Sequence, residues 1–84
     1  MSAKMDSNIS IIYIKLLGEG TNVLRPTHGL MLKNGFYKVF PTSDYDPEDE
    51  DWEFIPGSVV RCLLETHEGQ QLLVAKELIR SRSK

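Results

Sequence analysis

A single cysteine, Cys62, stands in a chain of 84 residues, so no internal disulfide can form. Neither a zinc-type Cys/His spacing nor a Cys-x-x-Cys pair accompanies it. A reducing compartment, the cytoplasm, is the expected location. Long hydrophobic runs are missing too: Ile11 to Ile14 is only four residues, against the roughly 20 that a spanning helix needs. The opening segment "MSAKMDSNIS" has no apolar stretch of signal-peptide length. Length is also scarce. A chain of 84 residues makes one domain and buries only roughly 60–65% of its unfolded surface, so a deep catalytic pocket would consume much of its core.

What is present is ordinary in bulk and uneven in detail. The hydrophobic share is 40% and the charged share 26%, too apolar for a disordered chain. Net charge is −2, yet residues 44–53 hold seven of the twelve acids and no base, leaving ten bases against five acids elsewhere. Fields follow such local distributions and not the net sum. The body can therefore attract an anion, while the loop can attract a cationic surface.

Short runs of β-branched and aromatic residues, punctuated by Gly, Pro and Asn-Gly, predict strands. "SIIYIKLL" is the first, with Ile12, Ile14 and Leu16 on one face. "GEGT" breaks it, and "NVLRP" reads as a second strand closed by Pro26. "GLML" and "FYKVF" flank Asn34-Gly35, the favoured type I′ hairpin pair. In "WEFI", Trp52 and Phe54 share a face and are expected in the core. Pro56-Gly57 predicts a type II turn acting as a corner. "VVRCLLE", the turn "THEGQ" and a strand over about 71–76 follow; Leu72, Ala75 and Ile79 also fit a helical stripe, so a short helical ending at 77–81 is an alternative. Residues 1–8 and 80–84 are expected to be disordered ends around one domain over 9–79. The fold class predicted is all-β: a small antiparallel barrel of five to six strands, SH3-like, with an OB-like barrel as the alternative.

No catalytic constellation emerges. An EF-hand loop started at Asp44 would place Asp49 at the sixth position, where glycine belongs, and Ile55 at the twelfth, where a bidentate glutamate belongs. Neighbouring exposed carboxylates lack the set separation of a glycosidase pair. Cys62 sits in an apolar strand, where cysteine is usually inert, and His28 and His67 fall in turns. No cofactor or metal is therefore expected. The candidate partner-binding residues are Asp44, Asp46, Glu48, Asp49, Glu50 and Asp51. Lys15, Arg25, Lys33, Lys38, Arg61 and Lys76, interleaved with Tyr13, Phe36 and Tyr37, offer a second surface, since small barrels bind single-stranded nucleic acid with such faces. A sequence pI near 5.6 argues against that use. Trp52 is assigned to the core in preference to a surface anchor.

"PEDEDWEFIPGSVVRC", with "LLGEGTNVLRP" and "LLVAKEL", resembles a group of small bacterial proteins. Their shared pattern is E-G-T-x-V-x-R-P followed by an acid-rich loop and W-E-F-x-P-G-x-x-V-R-C. The resemblance covers about Tyr13 to Leu78 and implies an SH3-like barrel in the bacterial cytoplasm; it carries no activity, ligand or partner. The expected function is a non-enzymatic binding or adaptor module acting through protein contacts. The alternatives are a nucleic-acid-binding barrel and an immunity-type inhibitor whose acidic loop blocks a basic site.

Overall fold

The computed structural model describes residues 8–19, 23–33 and 35–81. Five strands, β1 (Ile9–Lys15), β2 (Leu24–Lys33), β3 (Phe36–Val39), β4 (Val59–His67) and β5 (Gln70–Arg80), follow one another around a closed barrel. Every neighbouring pair is antiparallel except the last. β5 returns beside β1 in parallel, through Tyr13 and Val74. The architecture is a small all-β barrel, and no helix occurs among the described residues.

Alternation along the strands fills the interior. Ile12 and Ile14 of β1, Tyr37 and Val39 of β3, and Val60 and Cys62 of β4 are buried, and Leu16, Trp52, Phe54 and Ala75 complete the cluster. Trp52 and Phe54 are in the core as expected, with Glu53 and Ile55 turned outward. The surrounding segment is not a strand, however. Trp52 makes one isolated bridge to Leu16, the Leu17 N–H donates to the Asp51 carbonyl, and the Glu53 N–H donates to the Lys15 carbonyl. The chain then bends into the Pro56-Gly57 corner, where the Ser58 N–H reaches the Ile55 carbonyl and Gly57 takes φ 94°, as a type II turn requires.

"NVLRP" and "GLML" belong to one strand and not two. β2 runs straight through Pro26, which faces Tyr13. The Leu16 N–H donates to Val23, which makes alternate residues of this ladder the hydrogen-bonded ones and leaves Pro26 among those whose nitrogen points away from β1. On that other side the backbone bonds from the β3 chain end at His28, which accepts the Phe40 N–H, so a proline at 26 removes no ladder bond.

The helical ending at 77–81 is likewise replaced by strand: β5 extends to Arg80, pairing Val59 with Arg80 and Val60 with Leu78 across a register shift. The strand thus passes the expected domain end at 79. Of the expected disordered ends, 1–8 and 80–84, residues 1–7 and 82–84 lie outside the described residues, as does Asn34 of the predicted turn pair. The hairpin itself is present, with Lys33 facing Phe36 and Gly35 at φ 85°.

Candidate functional site: the acidic loop

The loop between β3 and Trp52 is folded by its own sequence. Asp46 accepts the Glu48 N–H on its side chain at 2.9 Å, and its carbonyl accepts the N–H groups of Asp49 and Glu50 at 2.9 and 3.0 Å. This is one capped turn: an aspartate cap followed by Pro47, whose missing N–H is harmless at that first position.

Glu50 ends the turn and points inward. The Arg25 guanidinium donates to it through Nε (3.1 Å to Oε1) and through its terminal nitrogen to Oε2, in a forked pair. The Trp52 indole N–H donates to Oε1 at 3.0 Å, so the only tryptophan is both buried and satisfied. Arg25 can reach because it faces Ile14 across the β1–β2 ladder, and cross-strand partners share a face. Tyr45 closes the arrangement, its ring 4.8 Å from that of Trp52 in an edge-on contact. The Arg25 donors first, and then the indole, hold the Glu50 carboxyl below the usual carboxylate range.

The six candidate acids therefore separate by role. Asp44, Asp46, Glu48, Asp49 and Asp51 are exposed, whereas Glu50 is half-buried and committed to Arg25 and Trp52. Among the described residues no group of three or more His, Cys, Asp or Glu side chains is placed to hold a metal ion. Cys62 lies inside the barrel, where burial pushes its thiol up to about 12, and it is almost wholly unionised at neutral pH. His28 is exposed on β2, and His67 ends β4 with its Nε2 2.9 Å from Glu65 Oε1.

Of the six basic residues singled out, Arg25 is paired with Glu50, Arg61 with Glu77 and Lys76 with Glu65. Tyr37 is buried, and Tyr13 and Phe36 are half-buried. The Arg25 strut is the feature sequence reasoning missed. Asp46-Pro47 is a local signal for the capped turn that could have been used, but nothing local ties Glu50 to a residue 25 positions earlier. No helix of the described residues is long and apolar enough to cross a membrane. Compared with protein-family models, curated proteins and solved structures, the chain matches none of them.

Proposed function

We propose that this is a cytoplasmic, non-enzymatic binding module whose acidic loop recognises a basic surface on a protein partner. The observation that carries the reading is the clamp of Glu50 by Arg25 and Trp52. A loop already held in one conformation loses little entropy on docking. It also presents Asp46, Glu48, Asp49 and Asp51 outward together, where like charges add to a local negative field that steers a cationic partner. An inhibitor that covers a basic site would use the same surface. The nucleic-acid alternative is the weaker reading, because half of the candidate cations already carry a carboxylate partner.

The test is selection of peptides from a random library by the purified protein and by an Asp46→Asn, Glu48→Gln, Asp49→Asn, Asp51→Asn variant, which leaves Glu50 in place. Lysine- and arginine-rich peptides should be enriched by the parent and lost with the variant. No enrichment of basic sequences, or equal enrichment by both proteins, overturns the proposal.

A further inference from the structure

A second site lies beside the end of the loop, where β1 changes partner. β1 meets β5 at Tyr13 and Val74, but its last residue, Lys15, accepts instead from the Glu53 N–H at 2.9 Å. β5 and the 51–53 segment thus diverge, and a cavity of about 190 Å³ opens between them. At about 30 Å³ per water it has room for roughly six waters, the bulk of a small organic ligand. Its apolar wall is Leu24, Val74 and Ala75, and its charged groups are Lys15, Glu53, Glu65, His67 and Lys76.

These charges are not equally free. Glu65 is saturated: one oxygen meets His67 Nε2 and the other meets the Lys76 ammonium. Lys76 keeps two further N–H donors. Lys15 and Glu53 are both exposed and neither is in an ion pair among the described residues, although their backbones are hydrogen-bonded to each other. What remains to be satisfied is a pair of ammonium donors, one carboxylate acceptor and an apolar wall, all around one small cavity. A simple anion would answer only the ammonium groups, and a simple cation only Glu53.

We propose that this cavity binds a small zwitterion, an α-amino acid with a short apolar side chain. Its carboxylate is received by Lys15 and Lys76, its ammonium by Glu53, and its side chain by Leu24 and Val74. The site goes beyond the protein-binding reading and uses none of the loop acids that reading depends on, so the two can fail separately.

The experiment is an amide NMR titration of the whole protein with L-valine, N-acetyl-L-valine and L-valinamide. L-valine should give saturable shifts at Lys15, Glu53, Val74 and Lys76. Each analogue lacks one charge, and each should bind about tenfold more weakly, as expected for loss of one charge-assisted contact. Lys15→Gln and Glu53→Gln, both at exposed positions, should each weaken L-valine by about the same factor, with the rest of the spectrum unchanged. Absence of saturable shifts, equal binding of either analogue, or undiminished binding by both variants overturns the proposal.

Discussion

Glu50 is one acid among seven in its stretch, yet its three donors give it a different task from its neighbours. Glu50→Gln keeps an acceptor for the Trp52 indole but leaves the guanidinium without its counter-charge. It should cost about 1–2 kcal/mol, since the pair is partly solvated, measured as a shift in the urea midpoint. The pH dependence follows from the same carboxyl. Its folded pKa is depressed, so its stabilising contribution is fully present above the ordinary glutamate range near 4.5 and disappears as pH falls through the lower folded value. Parent and variant should therefore differ in stability at pH 7 and converge as the solution is acidified; a constant difference down to strong acid would contradict this. Two core positions are as specific. Trp52→Ala should cost about 3–5 kcal/mol, a large part of the stability of so short a chain. At Gly29, a β-carbon would lie 2.8 Å from Ile12 Cδ1, and Ile12 is fully buried. Gly29→Ala should thus lose about 1–3 kcal/mol through overpacking. Adding Ile12→Val, which removes that methyl, should return part of the loss in a double-mutant cycle.

At the scale of elements, the β4–β5 turn offers the most direct handle. Glu68 has φ 52° and Gly69 φ 83°, both left-handed as a two-residue type I′ turn demands. A glutamate is poorly suited there, while asparagine tolerates that region. Glu68→Asn should stabilise the protein by about 0.5–1 kcal/mol, read from thermal or urea unfolding, and an unchanged or lowered midpoint would contradict it. The turns and the core face of β1 were legible in the sequence because their causes are local: Pro56-Gly57 sets its own backbone angles, and Ile12 and Ile14 alternate with polar or half-exposed neighbours. Pro26 misled because its tolerance depends on how far β3 reaches along β2, which no neighbouring residue reveals. The apolar residues of β5 read as a strand over about 71–76 but also fitted a helical stripe, which left a helical ending at 77–81 as an alternative; pairing with β4 carries the strand on to Arg80. Within the loop, the cap at Asp46-Pro47 has a local cause, an aspartate followed by proline, although it went unread in the sequence. The role of Glu50 has no local cause, since its partner Arg25 is brought to it only by closure of the barrel.

On the scale of the whole molecule, the uneven charge found by counting becomes a spatial arrangement. Asp44, Asp46, Glu48, Asp49 and Asp51 are exposed on one stretch of chain, and Glu50 within it is fastened to Arg25 and Trp52. The stretch is therefore a small ordered prominence and not a free charged tail, and the recognition of a basic partner proposed above rests on that order. Backbone order parameters for residues 45–51, measured by ¹⁵N relaxation in the parent and in Glu50→Gln, test this most directly. The parent should show values near the rigid-backbone level of about 0.85, falling toward about 0.6 or below in the variant. A loop already flexible in the parent, or equally rigid in both proteins, would contradict the account.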